Sequence, residues 1–277
     1  MSETKQNDCN NSDTKSNYES KAMVLWRFDN PYANYKKDTE RIFVFNGYTL
    51  QISQNLMNKI DITKNTGNIV WDGAYILSKY IIDHINFYEI LNIDSNNEQI
   101  KFLELGSGCG LVGLAAWIKG GKIEFTGTKT NIGHTKMNVE KNVKLILEQQ
   151  NQKLQVENKN IKELRKEDVG VHALDWRELP EPDDTKNIMH INNFGTFDII
   201  LASELLYLPE LHKDLVKTMK YYCHRNNQNI RNKRNTRVLG IYKERGLSEP
   251  SFFEIAKSLG KFNVEWVMLT VIKIIYI

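Results

Sequence analysis

Phe102-Leu-Glu-Leu-Gly-Ser-Gly-Cys-Gly-Leu-Val-Gly113 is the stretch on which the fold turns. A predicted strand, Ile100 to Leu105, stops at three alternating glycines, Gly106, Gly108 and Gly110, and an apolar helical stretch, Leu111 to Lys119, begins at once. Glycine permits φ > 0 and lets a ligand approach the backbone closely, and the amides at a helix N-terminus favour anionic or polar ligand groups. Gly108-x-Gly110-x-x-Gly113 alone is a weak dinucleotide fingerprint. Glu104, two residues before the first glycine, discriminates. A carboxylate there can pair with the cationic amino group of a methionine moiety and would repel a pyrophosphate, so a sulfonium cofactor is expected rather than NAD.

Outward from this turn the pattern alternates. A strand at Ile123–Thr126 precedes a helix carrying Val139, Val143 and Ile146. Further strands are predicted at Val169–Leu174, Phe197–Ala202, Val238–Tyr242 and within Val264–Ile277, with helices at Pro209–Tyr222 and Pro250–Leu259, each opened by a proline at a tolerated first-turn position. Strands alternating with helices predict an α/β fold: a Rossmann-like, mostly parallel sheet with helices on both faces. No helix separates the last two apolar runs, which predicts an antiparallel hairpin at the sheet edge. Upstream, Arg41-Ile-Phe-Val-Phe45 and Tyr48-Thr-Leu-Gln-Ile52 flank Asn46-Gly47, a strong two-residue turn signal, so an N-terminal β-hairpin is expected. After Trp71, Ala74, Leu77, Ile81, Ile85 and Tyr88 fall at the spacing of one amphipathic helix.

The polar segment 1–21 reads as a disordered tail and 22–277 as a single domain, with polar insertions near 148–168 and 226–236. Among 277 residues, 37 Lys plus Arg against 34 Asp plus Glu leave a net charge of +3, too small for a dedicated nucleic-acid binder. Three cysteines, Cys9, Cys109 and Cys223, form no Cys-x-x-Cys pair, which fits a reducing compartment. No apolar signal segment opens the chain, and Val264–Ile277 is too short to span a membrane and is interrupted by Lys273. A monomeric cytosolic or nuclear protein that binds neither membrane nor nucleic acid is expected. The six histidines show no metal-ligand spacing. Asp29-Asn30-Pro31-Tyr32 is similar to an adenine-methyltransferase motif but lies before the fold begins.

Glu-x-Gly-x-Gly-x-Gly resembles the first motif of class I, seven-β-strand, S-adenosylmethionine-dependent methyltransferases. Four further segments resemble, in order, the protein-lysine methyltransferase-like family within that class, methyltransferase family 16. They are Asn68-Ile-Val-Trp-Asp-Gly-Ala74, Leu174-Asp-Trp176, Glu204-Leu-Leu-Tyr207, and Tyr242-Lys-Glu-Arg245 followed by Phe252-Phe-Glu. The resemblance runs from about Ile42 to the C-terminus. It implies S-adenosylmethionine as cofactor and a lysine on a protein substrate as acceptor. The cofactor's methionine end would fall to Glu104 and the backbone of Gly106, Ser107 and Gly108. Trp71 would close the pocket, Trp176 would lie near the adenine, and Ser203 would line the wall. Glu204 would accept hydrogen bonds from the acceptor amine, with Tyr207, one helical turn on, bounding it. In one departure, Gly127 stands where the class places an acid for the ribose hydroxyls, with Thr128 as a polar substitute. Two alternatives stay open: methylation of a protein histidine or a small molecule, and a degenerate methyltransferase fold serving as a binding module.

Overall fold

Asn46 and Gly47 both take positive φ, 50° and 72°, the geometry of a two-residue turn whose twist matches that of its strands. They join β1 (Glu40–Phe45) to β2 (Tyr48–Ser53), with Phe45 opposite Tyr48. Phe43 and Phe45 are buried while Ile42 and Val44 face out, the alternation of a strand with one covered side. The computed structural model describes residues 38–55, 66–92, 99–157, 163–179, 195–227, 236–269 and 272–276, all within the unit 34–277. The expected tail over 1–21 and the middle of the basic insertion, 228–235, lie outside the described residues.

The free edge of β2 is closed by side chains rather than by another strand. Gln149 accepts from Thr49 N (2.8 Å) and donates to Thr49 O (2.9 Å). Asn142 does the same for Gln51 (2.7 and 2.8 Å), and Asn138 for Ser53 (2.8 and 2.9 Å). These amides share one face of a long helix, α4 (Ile132–Glu157), at a spacing of whole turns, and they meet every second residue of the strand. Each carboxamide reproduces the donor and acceptor of a neighbouring peptide, so the edge is satisfied without exposing a pairing template.

After the hairpin, α1 (Asp72–His84) buries Tyr75, Leu77, Ser78 and Ile81. The helix stops one turn sooner than the apolar spacing predicts. Ile85 is extended, and Asn86 caps a separate short helix, α2 (Phe87–Leu91), by accepting from Tyr88 N, so Tyr88 belongs to the second helix. The chain then alternates through β3 (Lys101–Leu105), α3 (Leu111–Ile118), β4 (Lys122–Gly127), α4, β5 (Val169–Ala173), β6 (Ile199–Ser203), α5 (His212–Asn227), β7 (Arg237–Lys243) and α6 (Glu249–Ile255). Two last strands follow, β8 (Glu265–Leu269) and β9 (Ile272–Tyr276). Pro209 opens a 3-10 turn ahead of α5, and Pro250 sits in the first turn of α6, which runs on into a π-helical turn, Ala256–Gly260.

The strand order is β5-β4-β3-β6-β7-β9-β8, with β5 to β7 parallel and β9 and β8 antiparallel. The expected terminal hairpin is present, and its second strand is the inner one. Every residue of α3 is buried, as an all-apolar helix must be, beneath α1 and against the sheet. The chain leaves β3 towards β4 on one side and returns to β6 on the other, so a crevice opens beyond the carboxyl ends of these strands. Among the described residues no helix is long and apolar enough to cross a membrane.

Candidate active site

A cleft of about 560 Å³ lies at that crevice. It gathers every site residue expected from sequence: Trp71, Glu104, Gly106, Ser107, Gly108, Thr128, Trp176, Ser203, Glu204 and Tyr207. They arrive from five segments, each at the end of a strand or in front of a helix, which is why they meet although up to 136 residues apart.

The glycine turn forms the floor. Gly108 has φ +52°, and a Cβ there would sit 3.2 Å from Gly67 O, so neither the conformation nor the space suits a side chain. Glu104 is buried beneath the turn, and its Oε2 accepts from Gly113 N at 3.2 Å. Gly113 is required by packing: a Cβ would crowd that carboxylate at 2.7 Å and collide with Phe125. Burial pushes the Glu104 carboxyl up to about 8, and the Ser107 hydroxyl and Gly113 N–H offset this only in part. Among the described residues the one basic side chain lining the cleft is Arg177, which is held by Asp175 through Nε (2.9 Å) and Nη2 (2.6 Å), so no cation of that lining faces Glu104. The Arg177 guanidinium in turn holds the Asp175 carboxyl below the ordinary range. Cys109, also in the wall, is held as the thiol, because burial pushes it up to about 12.

The opposite wall departs from expectation. Glu204 is in the left-handed region, φ +58°, so no helix links it to Tyr207; the chain turns there, and helical structure begins only at Pro209. Its carboxylate takes Gly73 N on Oε1 (3.2 Å), and Lys243 N (3.3 Å) and Arg245 Nη1 (2.8 Å) on Oε2. A Cβ on Gly73 would lie 2.5 Å from Oε1, so the helix start is shaped to admit this group. Arg245 was visible in sequence only as part of a motif. Here it pairs with Glu204 and stands 5.5 Å from the centre of the Trp71 ring. Trp71 Nε1 donates to Thr66 O (2.7 Å), and the Tyr207 hydroxyl bonds Thr66 Oγ1 (2.8 Å). Sequence reasoning missed Thr66, which joins the two aromatic walls and carries no local signal of that role. Ser203 Oγ is buried in the wall with no hydrogen-bond partner among the described residues.

Trp176 follows β5 on a 3-10 turn, with its ring edge 3.4 Å from where a Gly106 Cβ would stand. Gly127 ends β4, and Thr128, Thr130 and Asn131 continue the wall beyond it. Glu124, on the same strand, points elsewhere and bonds His172 Nε2 at 2.8 Å.

A parallel sheet in this order, a glycine turn after β3 and a buried acid beneath that turn define a class I methyltransferase. The chain belongs to the lysine methyltransferase family, whose profile matches residues 48–259. Protein N-lysine methyltransferase METTL21A of Mus musculus is 26% identical over 210 residues, 75% of this chain and 73% of its own. Protein-lysine N-methyltransferase EFM2 of Saccharomyces cerevisiae is 32% identical over 168 residues, 56% of this chain and 33% of that protein. EEF1A lysine methyltransferase 3 of Mus musculus is 31% identical over 181 residues, 65% of this chain and 60% of its own. The chain therefore spans about a third of the yeast relative and under two thirds of the last.

The cleft fits S-adenosylmethionine, the cofactor of this class. Glu104 offers a buried carboxyl that can ionise to receive its amino group, Ser203 offers a hydroxyl with no partner among the described residues, and the turn at Gly108 keeps the floor free of a side chain.

Proposed function

We propose that this protein methylates a lysine side chain of another protein, and that Trp71 and Tyr207 wall the channel by which the lysine enters. One observation carries the reading: Glu104 is a buried carboxyl group with no cation facing it among the described residues of the cleft lining. A ligand bearing an ammonium beside an uncharged adenosine answers that need. Bound S-adenosylmethionine supplies an electrophilic sulfonium methyl.

The chain's own residues prepare the acceptor. A lysine attacks only when neutral, against an ordinary value near 10.4. An unpaired carboxylate beside it would favour the ammonium. Arg245 removes that difficulty by neutralising Glu204 (2.8 Å). The amine thus meets two aromatic rings, a phenol and a neutral ion pair, surroundings that favour loss of its proton to water before it reaches the methyl. Orientation then supplies much of the acceleration. In this account Glu204 positions Trp71, through Gly73 and Arg245, and does not itself hold the amine.

The test is incubation with methyl-labelled cofactor and cell lysate, followed by mass spectrometry of the labelled protein. Methyl-lysine is expected. Label found on histidine alone would overturn the acceptor assignment.

A further inference from the structure

Among the described residues, the end of the cleft beyond β4 has no carboxylate to offer a sugar. In open α/β nucleotide sites an acid shortly after the second strand takes the ribose hydroxyls. Here that strand ends in Gly127. Three acids line the cleft, and each is committed elsewhere. Glu104 lies under the glycine turn on Gly113 N–H, Glu204 is sealed by Arg245, and Asp175 receives two nitrogens of Arg177. The groups after β4 that line the cleft, Thr128, Thr130 and Asn131, are neutral, while Lys129 between them pairs with Glu178 instead. Thr128 Oγ1 and Thr130 Oγ1 lie 2.9 Å apart. The Asn131 carboxamide lies against the glycine turn, its nitrogen 3.6 Å from where a Gly67 Cβ would stand, with Gly108 Cα 3.4 Å from the same point. The turn carrying them is fixed, since Asn131 N and Ile132 N both donate to Thr128 O (3.0 and 2.9 Å).

We infer that this chain grips the ribose of its cofactor through the neutral side chains of Thr128 and Asn131, and so accepts adenosyl ligands that lack one ribose hydroxyl. The inference rests on the reading of the cleft as an S-adenosylmethionine site. A hydroxyl held by a neutral partner contributes about two- to tenfold in affinity, whereas one held by a carboxylate contributes about ten- to a hundredfold. Gly127 could accommodate the missing acid. Its φ is not left-handed, and a Cβ there would meet only Ile132 Cδ1, at 3.7 Å.

Calorimetry with S-adenosylhomocysteine and its 2′-deoxy and 3′-deoxy analogues tests this on the full chain. Wild type should bind either deoxy analogue within about tenfold of the intact ligand. Gly127→Asp should bind the intact ligand about tenfold more tightly and discriminate against at least one analogue by a further tenfold or so. The double variant Thr128→Val/Asn131→Ala should weaken the intact ligand more than an analogue, so that the preference shrinks. Discrimination of about a hundredfold by wild type, or an unchanged preference in the double variant, overturns the inference. These two arms decide it even where Gly127→Asp fails to fold. Intact S-adenosylhomocysteine that does not bind wild type at all would overturn the cofactor reading as well, whereas tight binding with strong discrimination overturns this inference alone.

Discussion

Glu204 is held in a backbone region that non-glycine residues rarely occupy, at a cost on the order of 1–3 kcal/mol that the surroundings must offset. Three donors to one carboxylate and the bond from Glu204 N to Ile241 O (2.8 Å) do so. Glu204→Ala leaves Arg245 with Lys243 O (3.2 Å) and without its paired carboxylate. Because that arginine is 29% exposed, the loss is expected at about 2 kcal/mol rather than the full penalty of a buried pair. Glu204→Gln keeps the shape and two of the acceptor roles, so it should melt closer to wild type while losing turnover, because Arg245 then faces the amine unneutralised. Thermal melts and single-turnover rates on both variants and wild type check this; wild-type melting temperatures for both variants would show the ion pair to be idle. Glu104 gives the second prediction. Its carboxyl, near 4.5 when unfolded and raised to about 8 in the fold, must be ionised to receive a cation. Cofactor affinity should therefore rise with pH by up to about tenfold per unit until pH 8, with proton release seen in buffers of different ionisation enthalpy. In the ligand-free protein the sign reverses. The folded state keeps a proton that the unfolded chain loses between 4.5 and 8, so this group's contribution to stability is whole below 4.5 and is lost as pH rises through 8. Glu104→Gln should abolish both dependences. Glu104 could be found from sequence because its spacing to the glycines is local. The Arg245 partner of Glu204 could not, since 41 residues separate them and nothing beside Glu204 announces its left-handed turn.

Elements were legible where their signal was chemical and short. Asn46-Gly47 marked a hairpin because few other pairs accept positive φ twice, and the strand–glycine–helix unit marked the parallel sheet. Periodicity alone was a poorer guide to where elements end. Ile85 is buried as the helical spacing requires, yet it lies outside α1, because burial does not report backbone conformation. The polar face of α4 was the least legible. Asn138, Asn142 and Gln149 carry no sequence signal of a role, and theirs shows only when β2 is laid against them. Asn142→Leu, nearly the same in shape, strands the N–H and C=O of Gln51 and should cost about 2 kcal/mol. Lys144→Leu on the exposed side of α4 should cost almost nothing. Amide exchange at Gln51 should quicken in the first variant and stay at the wild-type rate in the second; no difference between them would show the side-chain ladder to be ornamental.

At the scale of the molecule, the cleft draws its walls from segments that start at Thr66 and end at Leu211, with Arg245 bracing them from behind. A ligand touching all of them binds only the folded chain, so S-adenosylhomocysteine at about a hundred times its dissociation constant should add about 2.7 kcal/mol, or roughly 5–10 °C in melting temperature. Gly108→Arg should abolish that shift and should itself melt lower, since Gly108 has φ +52° and lies close to Gly67 O. A ligand shift preserved in that variant would place the cofactor elsewhere. The bracing has a further consequence for a chain made from its N-terminus onward. While the ribosome has released only the first two hundred or so residues, β3 and β4 can pair with α3 packed on them, but Ile241 O, Lys243 N and Arg245 are still missing, and Glu204 has only Gly73 N to hold it in its turn. The cofactor therefore cannot help the nascent chain to fold. It rewards only the finished molecule, and until β7 has been delivered the apolar strands at the centre of the sheet must be shielded by something other than their own ligand.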